Sequence, residues 1–189
     1  MSNTPEVKTE AKKEPGMLML IAVLTVISVV VALLLGFVNQ STEGPIAANE
    51  QMAKEAAMQV VLPYDGEYTP LEYTGDDTLV TGAFQAGEEG YVIETVPTSG
   101  FSGAIVMMTG ISTDGTITGI AVVTHAETSG LGSKAQTDAK WQAQFVGTTE
   151  EVLVTKDGGA IESIAGSTIT SRSICEGVNA ARAALDHVS

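Results

Sequence analysis

Residues Ala104–Thr124 read AIVMMTGISTDGTITGIAVVT, and the fold of the chain turns on them. Ala104–Ile111 is an apolar run of strand length. Thr113-Asp114-Gly115-Thr116 carries the Asp-Gly pair that closes β-hairpins, because glycine takes the positive φ such a turn requires. Ile117–Thr124 is the returning strand. Upstream, Tyr91–Val96 is rich in β-formers, and Gly100-Phe101-Ser102-Gly103 makes a tight loop between it and the long strand. Three strands in sequence predict a mainly antiparallel, twisted sheet, with Met107 and Met108 in its core. Downstream, the pattern predicts a helix over 136–145. A second hairpin is expected around Asp157-Gly158-Gly159, between Val152–Val154 and Ala160–Ile164. The last helix is expected from about Ser173, where Ser173-Ile174-Cys175-Glu176 has capping-box form. Ile174, Val178, Ala181 and Leu185 then share one face.

Ahead of this domain stands a different kind of sequence. Met17–Val38 is MLMLIAVLTVISVVVALLLGFV, without a charge. As a helix it spans roughly 33 Å, enough for a hydrocarbon core of about 30 Å. It is longer than the apolar region of a signal peptide and ends in Gly36-Phe37-Val38-Asn39, a poor cleavage site. A retained anchor is the expectation. Lys8, Lys12 and Lys13 precede it and the next cation is Lys54, so the positive-inside rule puts the tail in the cytoplasm and the rest outside. Pro45 suits the first turn of a separate helix through about Met58, ended by Val60-Val61-Leu62-Pro63. Residues 64–90 mix Gly, Asp, Glu and Thr and read as weakly regular surface. The divisions are therefore a cytoplasmic tail (1–16), a transmembrane helix (17–38), a helical linker with an irregular segment (39–89) and a compact domain (90–189). The fold class is α+β: a single transmembrane helix, then a small antiparallel-sheet domain with flanking helices.

Composition narrows the chemistry. Among 189 residues, 23 are acidic and 9 are Lys or Arg, for a net charge of −14. The tail is neutral, with Glu6, Glu10 and Glu14 against its three lysines, so the whole excess lies beyond the anchor. Such a surface repels nucleic acid, whose recognition needs clustered cations. A single cysteine, Cys175, rules out an intramolecular disulfide and a cysteine-ligated cluster within this chain. With His125 and His187 alone, a multi-histidine zinc site is out as well. Redox chemistry here requires an organic cofactor or a partner.

Two loops hold more Gly, Ser and Thr than a turn needs: Thr124–Lys134 (THAETSGLGSK) and Ile164–Ser173 (IAGSTITSRS). The second runs into the last helix. Hydroxyls at a helix start serve either as caps or, with the free N–H groups and the dipole, as a phosphate site. Arg172 adds charge there. Taken singly, His125 reads as a strand-end histidine, Glu127 as a solvated loop acid and Cys175 as an inert core thiol.

Glu162-Ser163-Ile164-Ala165-Gly166-Ser167-Thr168 resembles the flavinylation sequence of the FMN-binding domain family. That motif runs acid, two variable residues, Ser or Thr, Gly, Ala, then Thr or Ser. Gly166 and Thr168 match. Glu162 replaces the usual Asp, Ala165 a hydroxyl residue and Ser167 an alanine. Gly100-Phe101-Ser102-Gly103 is similar to the family's Gly-aromatic-Ser-Gly turn. His125-Ala126-Glu127-Thr128-Ser129-Gly130-Leu131-Gly132 is similar to its His-x-Glu-Thr-Pro-Gly-Leu-Gly loop, with Ser129 in place of Pro. Asp157-Gly158-Gly159 precedes the attachment motif as it does in relatives. With these four features in order behind an anchor, residues 17–187 resemble one branch of that family, the anchored FMN-domain subunits of the ion-translocating ferredoxin:NAD oxidoreductase (Rnf) complexes. The homologous FMN-domain subunit in the sodium-pumping NADH:quinone oxidoreductase is the near neighbour.

The resemblance implies FMN joined to Thr168 by a phosphoester, with Gly166, Ser167 and Thr170 beside it and Thr170 as second acceptor. It implies Glu127, Thr128 and Leu131 along the flavin, Ser102 nearby and Lys156 near the ring. It further implies maturation by a flavin transferase using FAD. The partners it implies are the other membrane and iron–sulfur subunits, and the coupled ion Na+ or H+. Two other readings stand beside it: a non-redox anchored binding module whose Ser/Thr loops are only caps, and a stand-alone anchored flavin reductase.

Overall fold

The computed structural model describes residues 16–188. The tail expected in the cytoplasm, including Lys8, Lys12 and Lys13, therefore lies outside the described residues, apart from Gly16. The chain divides into two compact units, one ending at Ala48 and one comprising Asn49–Ser189.

The first unit holds the start of α1 (Met17–Val61), whose apolar side chains from Met17 to Val38 are exposed throughout. It is a helix long and apolar enough to cross a membrane, with a mean hydropathy of 3.2 over its most apolar window. Pro45 does not open a second helix: it sits inside α1. Proline costs a helix one donor and crowds the carbonyl four residues back. The turn before it is reinforced by hydroxyls, Ser41 donating to the Phe37 carbonyl at 2.8 Å and Thr42 to that of Val38 at 3.0 Å. The segment continues helical through Ala-, Met- and Gln-rich sequence to Val61.

The second unit is an α+β domain. Its sheet contains β1 (Thr69–Leu71), β2 (Val80–Ala86), β3 (Gly90–Thr95), β4 (Ile105–Ser112) and β5 (Ile117–His125), in the order of the chain and antiparallel throughout. The expected β4–β5 hairpin is present, its turn held by the Thr116 N–H donating to Asp114 Oδ1 at 3.0 Å. Residues 64–90, expected as weakly regular surface, supply β1 and β2. The composition hides β2, VTGAFQA, which carries a single branched apolar residue, Val80. It is a strand because β3 pairs with it from Val80↔Thr95 to Ala86↔Gly90.

Both faces of the sheet are covered, which explains the unbroken apolar run of β4. Met107 points into a core with Ile105, Ile117, Ile120, Trp141, Phe145, Ile174 and Val178. Met108, its neighbour, points the other way onto Ala57, Met58, Val61 and Val92, as strand alternation requires. The end of α1 rests on Gly110 and Gly119, which pair across β4 and β5. A side chain at Gly110 would collide with the Val61 carbonyl. Thr118 Oγ1 donates to that carbonyl at 2.6 Å, satisfying a helix-terminal acceptor.

Three local expectations are corrected. The helix over 136–145 is three short pieces: α2 (Lys134–Thr137), α3 (Ala139–Gln142) and a 3-10 turn (Ala143–Phe145). Asp138 breaks it by capping α3, accepting from the N–H groups of Lys140 and Trp141. Around Asp157-Gly158-Gly159 there is no hairpin but a 3-10 turn (Thr155–Asp157), ended by Gly158 at φ 89°. Its flanks meet in a single parallel bridge, Val154↔Ile161. Finally, α4 spans Thr168–Ala183, five residues earlier than the Ser173 start. Ser173 is buried inside the helix, and Glu176 bonds the Ser99 hydroxyl instead of capping.

Candidate functional site

The earlier start of α4 defines the site. Thr168 becomes its first residue and Ser167 its N-cap position, yet the Ser167 side chain makes no capping bond. The first-turn N–H groups of a helix lack intrahelical acceptors, and the dipole makes that end partly positive. Here no hydroxyl is spent on them. Ser171 Oγ instead turns inward, donating to the Ser167 carbonyl and accepting the Ile164 N–H, both at 3.0 Å, which fixes the loop before the helix. That loop is also held from outside. Trp141 Nε1 donates to the Glu162 carbonyl at 2.6 Å, and Gln144 Oε1 accepts the Glu162 N–H at 2.7 Å.

A cavity of about 370 Å³ opens beside Thr168, lined by Phe101, Glu127, Thr128, Leu131, Gly132, Lys156 and residues 166–170. Eight of the nine site residues expected from sequence thus meet on one cavity. The ninth, Ser102, adjoins it through its N–H, which donates to Glu127 Oε1 at 3.0 Å. Glu127 is not a solvated acid: it is 8% exposed. It accepts the Thr170 hydroxyl at 2.6 Å. Its own N–H donates to Nδ1 of His125, which stands at the end of β5 as expected. Gly132 lies against this pair, and a Cβ there would strike the Glu127 carboxylate.

Lys156, at the centre of the 3-10 turn, is exposed and donates from Nζ to Thr168 Oγ1 at 2.9 Å. Next to it, Asp157 receives a two-point bond from Arg172, Nε to Oδ2 at 2.6 Å and the terminal nitrogen to Oδ1 at 2.7 Å. The hydrogen-bonded guanidinium holds the Asp157 carboxyl below its ordinary pKa, and the carboxylate holds Arg172 above its own. Cys175, deeper in α4, is buried, and desolvation pushes its thiol up to about 12, so it is inert at neutral pH.

The rim is apolar. Phe101 is 68% exposed, Ile169 46% and Leu131 45%. Exposed apolar groups gathered at a cavity mouth mark a surface that binds something. Neither Ile169 nor Phe101 nor Gly132 stood among the residues expected to touch a ligand. All three lie within loops the sequence singled out. Ile169 carries no signal of its own, and its place follows from the helix beginning at Thr168. The arrangement fits a flat apolar group carrying a phosphate. The charge would lie at the start of α4 beside Lys156, and the ring would lie against the apolar rim. Among the described residues no group of three or more His, Cys, Asp or Glu is placed to hold a metal ion.

Comparison with known proteins agrees with this geometry. Residues 100–183 match the family described as the FMN-binding domain. The chain is 35% identical over 179 residues to a component of the Na+-translocating ferredoxin:NAD+ oxidoreductase complex of Acetobacterium woodii, the subunit designated G, covering 83% of this chain and 86% of that one. It is 34% identical over 179 residues to the equally designated subunit in the ion-translocating oxidoreductase complex of Methanosarcina acetivorans, covering 89% and 93%. The same component in Stutzerimonas stutzeri is 34% identical over 165 residues, covering 79% and 72%.

Proposed function

The chain belongs to this family of FMN-domain subunits in ion-translocating oxidoreductase complexes, and from that membership we propose that it is a membrane-anchored flavoprotein holding FMN on Thr168 through a phosphoester. It relays electrons within an Rnf-type complex whose electron transfer drives Na+ or H+ across the membrane. Its partners are the membrane and iron–sulfur subunits of that complex. The apolar part of α1 is the anchor, and the flavin domain faces away from the cytoplasm. The division at 17–38 stands as part of this reading. The start of the flavin domain moves back to Asn49, because β1 and β2 belong to its sheet.

One observation carries the reading: the Thr168 hydroxyl opens onto the cavity at an uncapped helix start and receives a bond from the Lys156 ammonium. An ammonium and free N–H groups favour a phosphate ester at that oxygen. When bound, FMN supplies a carrier that takes and gives electrons singly or in pairs. Phe101, Leu131 and Ile169 offer an apolar surface that would hold its ring. Glu127 holds the loop of Thr128–Gly132 to α4 through Thr170, so both walls keep their spacing. Attachment joins Thr168 Oγ to the phosphorus of the FMN half of FAD, AMP leaves, and the hydroxyl proton passes to the transferase.

The test is expression of the full chain with and without a flavin transferase. With it, the denatured protein stays yellow and its intact mass rises by one FMN less one water. Without it, the protein is folded and colourless. A chain that is colourless in both cases, though folded, is a non-redox module.

A further inference from the structure

Two side chains adjacent in the 3-10 turn Thr155–Asp157 meet two residues one helical turn apart on α4. Lys156 reaches Thr168, and Asp157 reaches Arg172. Residues four apart on a helix lie one above the other on the same face, so the turn is fastened to α4 at two successive rungs. We propose that the Asp157–Arg172 pair is a positioning clamp, which sets the Lys156 ammonium on the Thr168 hydroxyl and so prepares that oxygen to accept the flavin phosphate. The proposal rests on Thr168 being the flavin acceptor.

The backbone alone does not place Lys156. Its turn is anchored through buried Val154 and Ile161, where the Thr155 N–H donates to the Ile161 carbonyl and the Ile161 N–H to that of Leu153. Past those anchors the turn is exposed and bends through Gly158 at φ 89°. A lysine chain has four rotatable bonds, and its head is strongly hydrated. A fork of two parallel hydrogen bonds, by contrast, fixes both distance and orientation. The fork therefore supplies the geometry that lysine lacks. It also occupies both Asp157 oxygens, which would otherwise attract the neighbouring ammonium away from Thr168.

During attachment the bond made is Thr168 Oγ to phosphorus, and the bond broken is phosphorus to the oxygen of departing AMP. Lys156 keeps its protons throughout: it donates to the attacking oxygen and then to the ester. The pair is on the surface, and exposed ion pairs contribute little to stability. Its loss is felt in the reaction and not in the fold.

The experiment uses the full chain in detergent, a purified flavin transferase and FAD, with flavin incorporation followed by intact mass. Arg172→Gln and Asp157→Asn should each lower kcat for attachment by about tenfold or more, approaching the ~100-fold that a misplacement of about 1 Å costs. The KM for the chain and the melting temperature should stay as in wild type. The double variant should be no worse than either single one. In a Lys156→Met background, Arg172→Gln should have no further effect, because the pair acts through Lys156. Arg172→Gln and Asp157→Asn both behaving as wild type would overturn the proposal, as would an equal loss from Arg172→Gln in the Lys156→Met background. A rise in KM in place of a fall in kcat would overturn it too, since the pair would then be a docking contact. A wild-type chain that takes no flavin overturns the functional reading and the clamp together, whereas a flavinylated wild type with unaffected variants overturns the clamp alone.

Discussion

The Glu127 carboxylate and the Thr170 hydroxyl, 43 residues apart, are joined by a 2.6 Å hydrogen bond in a buried position. Thr170 is 1% exposed. Of the two threonines that start α4, one is thus committed to holding the loop after β5, and the other is free to react.

Thr168→Ala is therefore expected to abolish covalent flavin completely, with no transfer to Thr170. The loss of one partly exposed hydroxyl costs the fold about 0.5–2 kcal/mol at most. The variant should be made, inserted in the membrane and colourless after denaturation. Intact mass and peptide mapping check it, and flavin found on Thr170 would contradict the bond to Glu127.

Glu127→Ala should weaken the domain by about 1–3 kcal/mol, because the Ser102 N–H and the Thr170 hydroxyl lose their acceptor. Glu127→Gln keeps an acceptor oxygen and should cost less. Urea unfolding of the full chain in detergent, followed by the fluorescence of Trp141, measures both.

Lys54, near the end of α1, bonds both oxygens of Glu94 on β3 at 2.9 Å, and Thr81 donates to the same carboxylate. The Glu94 side chain is only 8% exposed. Lys54→Met strands that charge and should cost about 2 kcal/mol. This is less than the ~3–5 of a fully buried pair, because Lys54 itself keeps a third of its exposure. The double change Lys54→Met with Glu94→Met should recover most of the loss in the same unfolding measurement.

The Asp157 carboxyl has a lowered pKa whose first cause is the bond from Arg172. A lowered carboxylate pKa means that the pair is fully formed above the ordinary carboxylate range and is lost only as pH falls through the lowered value. Flavin attachment should therefore keep its clamp down to mildly acidic pH. A carboxyl NMR titration should find Asp157 below the usual ~3.9, and Arg172→Gln should return it towards that value.

Topology is accessible through the single native cysteine. Cys175 is buried and its thiol is pushed up to about 12, so it gives a silent background. A cysteine introduced at Glu88, exposed in the turn between β2 and β3, should react in intact cells with a reagent that cannot cross membranes. Reaction only after lysis would place the domain in the cytoplasm.

Much of the fold was readable, and the failures have physical causes. Ala104–Thr124 declares its hairpin because Asp114-Gly115 and two apolar runs agree. The strand β2 does not, because Gly82, Ala83 and Ala86 gain their structure from pairing with β3, a tertiary effect. Ser173 mimics a capping box, but the helix start is decided by Gly166 at φ 79° and the Ser171 bonds that close the loop. The loops of the site were legible through their composition. What a linear reading missed is that Glu127 is buried, since its partners, Ser102 and Thr170, are remote in sequence.

The sheet is a strict meander, each strand pairing with its neighbour in the chain. Short loops cost little entropy to close, so such a sheet is suited to forming locally and early. The cavity is different, for it gathers Phe101, Leu131, Lys156 and Thr168, and it exists only after α4 has docked on the finished sheet. Acquisition of the cofactor is then a record of completed folding: a chain that stalls before its last helix packs has strands but nowhere to seat a flavin.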